Sequence, residues 1–119
     1  MRKELENRLI EFSIQIFELS KVVEKDYFET YLLNQLMRSS ASAALNYGEA
    51  QGAESKKDFI HKVSLVLKEL RESNVNLKIL AKTGSVSDQS LMEKASEESK
   101  QLVSIFYRTA QTAKKNQGN

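Results

Sequence analysis

Across 119 residues there is no proline, and glycine occurs only at Gly48, Gly52, Gly84 and Gly118. Proline removes a backbone donor and clashes with the preceding helical turn, and glycine is the next worst residue in a helix interior. A chain short of both has little to interrupt a helix, and little with which to build the frequent tight turns of a β-rich fold. The sequence therefore calls for a few long helices with short connections.

Apolar spacing places those helices. Leu5, Leu9, Phe12, Ile16, Leu19 and Val23 recur at steps of 4, 3, 4, 3 and 4, the seam of a helix lying nearly parallel to its neighbours, which predicts a helix over about 4–25. Ile10, Ile14 and Phe17 add a second stripe. The face is then wider than a two-stranded seam needs, which implies several neighbours, within a bundle or across a subunit interface. Asp26 followed by Glu29 reads as an N-cap with a reciprocal carboxylate, opening a second helix over about 27–51. Its apolar positions Leu33, Leu36, Met37 and Tyr47 surround a run of small residues from Ser39 to Ala44. Such residues admit a close neighbour but bury little apolar area each.

Gly52 can end that helix, and Ser55 with Asp58 forms a capping-box pattern for a third over about 56–83. Phe59, Val63, Val66, Leu70, Leu77 and Leu80 form its seam, with Ser73 in the one slot where an apolar residue is expected. Lys82, Thr83 and Gly84 give a basic last turn and a glycine suited to the left-handed position after a helix. Ser85 or Ser87 is expected to cap a fourth helix over about 87–115, built on Leu91, Ala95, Leu102, Ile105, Phe106 and Ala110. Short connections make neighbours antiparallel, so the reading is an all-α, up-and-down four-helix bundle in one domain, roughly 35–40 Å long.

A chain of this length can bury a core without staples. Cysteine is absent, which removes disulfides, thiolate nucleophiles, iron–sulfur clusters and cysteine-ligated zinc together and suits a reducing cytosol. The opening MRKELENRLIEF threads charges through its first apolar residues and lacks the apolar core of a signal peptide; no apolar run approaches the roughly 18 residues that span a bilayer. Cytoplasm is the expected address, with no membrane partner. A net charge of +2 is too small to indicate nucleic acid by itself. Arg108, Lys114 and Lys115 with no acid between 101 and 119 suit the dipole of a helix end.

Catalytic groupings are hard to find. The one histidine, His61, follows Asp58 at a spacing of three, and a dinuclear metal bundle needs such a pair on each of two helices. No metal and no cofactor are expected. The serines lack the histidine and carboxylate that would activate one of them. Gly48 and Gly52 are not followed by the Lys-Ser or Lys-Thr of a phosphate loop. Glu69 and Glu72 share a helix face as ordinary solvated patterning does. The expectation is that the protein is not an enzyme.

One polar stripe stands out. Arg38, Ser42, Asn46 and Glu49 follow one another at steps of 4, 4 and 3 along a helix packed with Ala and Ser, where a partly buried polar atom must find a partner or cost free energy. It reads either as a network holding the second helix to the third, with Glu69 or Glu72 as partners, or as a groove for a ligand or RNA.

The segment RSSASAALNYGEA from Arg38 to Ala50, with KKDFI from Lys56, LKELRE from Leu67 and NRLIEFS from Asn7, resembles the bacterial four-helix bundle family first noticed as proteins encoded in intervening sequences of 23S ribosomal RNA genes. The resemblance covers nearly the whole chain. It implies a bundle that associates through its long helices into a ring, with a homopentamer the expected form, and no established activity. A related branch that accompanies diversity-generating retroelements looks like a basic scaffold binding nucleic acid and reverse transcriptase. This chain is less basic, and it has Ser73-Asn74-Val75-Asn76 where the family suggests a more apolar or aromatic stretch.

Two functions follow as expectations. The first is a non-enzymatic oligomeric scaffold whose partner is itself. The alternative is a scaffold for structured RNA, with contacts from Lys56, Lys57, Lys62, Lys68, Arg71, Lys78 and Lys82 on the third helix and Arg108, Lys114 and Lys115 on the fourth.

Overall fold

A computed structural model describes residues 2–117 and forms four α-helices: α1 (Arg2–Ser20), α2 (Tyr27–Gln51), α3 (Lys56–Ala81) and α4 (Gln89–Gln117). Each helix packs on the next and α4 returns to α1, with α2 and α3 sharing the most extensive interface and α1 and α4 the least. Cross-links fix the directions: the start of α1 meets the end of α2 at Glu6 and Gln51, Arg38 meets Glu69 and Glu72 while Glu49 meets Lys62, Asn74 meets Ser99 while Arg71 meets Tyr107, and Arg8 meets Glu98 while Val23 meets Val86. Numbers rise on one helix as they fall on the next, so neighbours are antiparallel.

The seam residues form the core. Leu9, Phe12, Ile16 and Leu19 of α1, Leu33 and Leu36 of α2, Val63, Leu70, Leu77 and Leu80 of α3, and Leu102 and Phe106 of α4 are all fully or almost fully buried. Tyr47 and Phe106 meet edge to face, with ring centroids 5.2 Å apart, the arrangement the ring quadrupole favours. Ser73, in the slot where an apolar residue was expected, is wholly buried, and its hydroxyl lies 2.6 Å from that of Ser39. Two serines facing each other let α2 and α3 approach closely while each hydroxyl keeps a partner.

The helix ends follow capping chemistry with two corrections. Asp26 caps α2 in a complete capping box with Glu29, and Ser55 accepts from the Asp58 amide at the start of α3. Gly84 takes φ of 73° after α3, a conformation without penalty only for glycine. The first correction is at α1, which stops at Ser20 rather than near residue 25. Val23 instead leaves the helix and makes an isolated bridge with Val86, with the Glu24 amide donating to the Ser85 carbonyl and the Ser87 amide to the Val22 carbonyl, both at 2.8 Å. Val23 is buried as its seam position requires, by an extended segment that ties the α1–α2 turn to the α3–α4 turn.

The second is the cap of α4. Asp88, not Ser85 or Ser87, accepts from the Leu91 amide at 3.2 Å, and the helix begins at Gln89. Ser85 is drawn instead to Glu29 and Ser87 to the Val22 carbonyl. The fold is also longer than the expected 35–40 Å, at 50 Å by 21 Å by 21 Å; α4, with 29 residues, runs about 43 Å by itself at 1.5 Å per residue.

Candidate functional site

The polar stripe on α2 divides into three arrangements. At one end the Arg38 guanidinium crosses to α3, where Nη1 donates to both Glu69 oxygens at 3.3 and 3.4 Å and Nη2 pairs with Glu72. At the other end Glu49 pairs with Lys62 at 2.8 Å, an interaction that, mainly through its hydrogen bond, raises the lysine's proton affinity. Between them, the Asn46 side chain donates to the Ser42 carbonyl of its own helix at 2.9 Å, and Ser42 is half-buried beside it. The stripe is therefore two clasps on α3 with a locally bonded middle, not one continuous network. Arg38 and Glu49 keep roughly half their side-chain surface in water, so each clasp adds little to stability and mainly fixes register.

A third clasp, on α1 and α4, was not anticipated from the sequence. Arg8 donates to both oxygens of Glu98 at 2.7 and 3.1 Å and to Gln101 at 3.1 Å. The hydrogen bond to Glu98 raises the arginine's proton affinity. Arg8 lies outside the seam and so carried a hint, but nothing in sequence distinguishes it from other surface cations.

The cations fall in two places. Lys56, Lys57, Arg108, Lys114 and Lys115 gather at the end of the bundle where α3 begins and α4 finishes, and all are exposed. Arg2, which sequence reasoning did not include, joins Lys56 in lining a cleft of about 580 Å³, and Arg8 and Arg108 line an adjoining one of about 600 Å³ over Leu5, Phe59 and Ile105. Acidic Glu54 and Asp58 share this end and dilute its field. Lys68 and Lys78 stand exposed along α3 and Lys82 at its C-cap, Lys62 is engaged by Glu49, and Arg71 lies 5.9 Å from the Tyr107 ring centroid.

Apolar side chains are exposed as well. Ile10, Ile14 and Phe17 of α1 are between 45% and 49% exposed, and Leu45 of α2 is 68% exposed. Ile10, Ile14 and Phe17 recur at steps of four and three and so form one exposed row along α1, and Leu45 is exposed on α2, the helix that Glu6 ties to α1 through Gln51. The outer side of these two helices is the α1–α2 face. Tyr27, Phe28 and Tyr31 open α2 as exposed aromatics. Their signal in the sequence was their position off the buried seam.

Among the described residues no cluster of His, Cys, Asp or Glu is arranged to hold a metal, and no helix is long and apolar enough to cross a membrane. His61 is exposed near the start of α3.

Comparison with known proteins gives a consistent assignment. The family described as 23S rRNA-intervening sequence protein matches residues 4–108. The chain is similar to a crystal structure, at 1.70 Å, of a protein of unknown function from the S23 ribosomal protein family of Bacteroides thetaiotaomicron VPI-5482. The identity is 26%, the TM-score is 0.80, and the match covers 93% of this chain and 99% of that one. No curated protein matches.

Proposed function

The chain belongs to the 23S rRNA-intervening sequence protein family, a family without an established biochemical role, and from that premise we propose that it acts without chemistry of its own, as a self-associating scaffold in the cytoplasm. One observation carries the reading. The α1–α2 face presents Ile10, Ile14, Phe17 and Leu45 to water although the interior they flank is already filled. Scattered apolar residues on a surface need no explanation, but a row along one helix with a further large apolar residue on the helix beside it marks an interaction surface. Copies joined through that face would form a ring, for which we expect five subunits.

Sedimentation velocity tests it. The protein at micromolar concentration is expected to sediment as an oligomer, and Ile14→Lys to return it to a monomer with an unchanged helical spectrum. A wild-type protein that stays monomeric at that concentration overturns the proposal.

A second reading, binding of structured RNA, is supported by Lys57, Lys68 and Lys78 along α3 and Lys82 just after it, exposed and in no ion pair among the described residues, and by the cationic end formed by Lys56, Arg108, Lys114 and Lys115. Phosphate contacts release counterions, so affinity for 23S ribosomal RNA fragments would fall steeply with salt. Retention that does not respond to salt, or no retention, removes this reading.

A further inference from the structure

The first turns of α2 and the last turns of α3 enclose a groove of about 450 Å³, walled by Tyr31, Leu32, Val75 and Ile79 and reached by the amides of Gln35 and Asn76. It lies apart from the α1–α2 face and from the cationic end. Its volume falls within the range of small-ligand sites, and its composition is that of one, apolar walls with a few polar groups.

Asn76 is the unusual member. It is only 8% exposed, and its Oδ1 atom is buried without a hydrogen-bond partner among the described residues. Buried polar atoms are nearly always paired, and one left alone is destabilising until a donor reaches it. The neighbours of Asn76 in sequence are satisfied: Ser73 pairs with Ser39, and Asn74 accepts from Ser99 at 3.1 Å. Gln15 Oε1 is the other buried side-chain atom without a partner among the described residues; it sits on α1 outside the groove, so of the two only Asn76 lines it.

We infer that this groove receives an unpaired nucleobase of a single-stranded nucleic acid, stacked on Tyr31 against Val75 and Ile79 with its edge bonded to the Asn76 amide. A carboxamide carries a donor and an acceptor in one plane, the combination that reads base edges; the Asn76 oxygen is turned inward and buried in this structure, so a base engages both atoms by a rotation of the amide. Aromatic faces hold bases whatever their identity. Tyr27, at 87% exposed, and Phe28 precede Tyr31 by four and three residues on α2 and offer a surface for a neighbouring base. Exposed Lys78 on α3 and Lys82 at its C-cap each follow a wall residue, Val75 and Ile79, by three positions, which puts cations beside the apolar wall where a phosphate would run. Glu72 also borders the groove, but it pairs with Arg38, so its charge is answered from within the fold.

The inference deepens the RNA reading by naming where a base is held, and its test separates the two. Labelled oligo(A), oligo(U) and oligo(C) ribonucleotides of ten residues are titrated with the full chain and followed by fluorescence anisotropy at low and high salt. Binding is expected, weakened about tenfold or more by Tyr31→Ala, the typical worth of one stacked base, and retained by Tyr31→Phe. Asn76→Leu is expected to flatten the differences among the three oligomers. Circular dichroism verifies that each variant is folded, and Tyr31 is exposed enough that its removal leaves the core intact.

Three outcomes overturn the groove. None of the oligomers binds; or Tyr31→Ala leaves affinity within twofold while Lys68→Glu with Lys78→Glu abolishes it, so that charge alone holds the RNA; or Tyr31→Ala disperses the oligomer without changing nucleotide affinity, which makes the groove a protein contact.

Discussion

Replacing Ser39 and Ser73 singly and together by alanine tests whether these serines stand in the α2–α3 interface for their size or for their bond. Both are wholly buried, and their oxygens lie 2.6 Å apart. Ser39 has a second partner, the Leu36 carbonyl at 3.3 Å. Ser73→Ala therefore leaves Ser39 with something to donate to and is expected to cost about 1 kcal/mol, a typical net hydrogen bond. Ser39→Ala strands the Ser73 hydroxyl and is expected to cost more, up to ~3 kcal/mol, the penalty of an unpaired buried polar group. The double variant removes both hydroxyls, so it should be no worse than the milder single change, within about 0.5 kcal/mol. Urea unfolding resolves this: with a slope of ~1–3 kcal/mol per molar, 1 kcal/mol moves the midpoint by about 0.3–1 M. If the double variant loses the sum of the two single losses, the hydroxyls act independently and the account of the close α2–α3 approach fails.

Three further outcomes follow from the fold. The Glu29 carboxyl is held below its ordinary value of 4.5, first by the Ser85 hydroxyl and then by backbone amides, its own and that of Asp26. A lowered folded-state value means the contribution is fully present above that ordinary value and is lost as pH falls through the folded one. The stability gap between wild type and Glu29→Gln should therefore close on acidification, and a gap constant from neutral pH to pH 3 would contradict it. Phe106→Ala removes a fully buried ring and its edge contact with Tyr47, for an expected loss of ~3–5 kcal/mol in denaturant unfolding; a loss under about 1 kcal/mol would mean the site collapses freely. Gly84→Ala meets open space but keeps φ of 73°, so about 1–2 kcal/mol of backbone strain is expected in denaturant unfolding, with a smaller loss for Gly84→Asn in the same assay.

The helices were legible because their cause is local. A seam at steps of three and four needs only the helical repeat to be read, and the interior positions it marks, such as Leu9, Phe12, Leu70 and Phe106, are the ones buried. Errors fell where a distant segment decided the outcome. Nothing near Val23 announces that Val86, more than sixty residues later, will draw it out of α1 into a bridge. Ser85 and Ser87 have cap chemistry as good as that of Asp88, and they lose the position because Glu29 and the Val22 carbonyl engage them first. Local propensity offered several equivalent ends, and tertiary contacts chose among them.

The candidate surfaces are less legible for a related reason. Helical spacing showed that Arg38 and Glu49 lie on one stripe, but which cation faces which acid depends on the register between helices. That register pairs Glu49 with Lys62 and so removes Lys62 from the free cations counted along α3. The same register determines that Asn76, one more polar residue in a polar stretch of sequence, is the member left without a partner. Aromatic exposure is also relational: Tyr31 and Tyr47 are alike in sequence, yet one walls an open groove and the other is buried against Phe106. Composition and periodicity therefore suffice to specify a bundle, whereas the surfaces that would recognise a partner arise from mismatches between helices that appear only once the helices are in register.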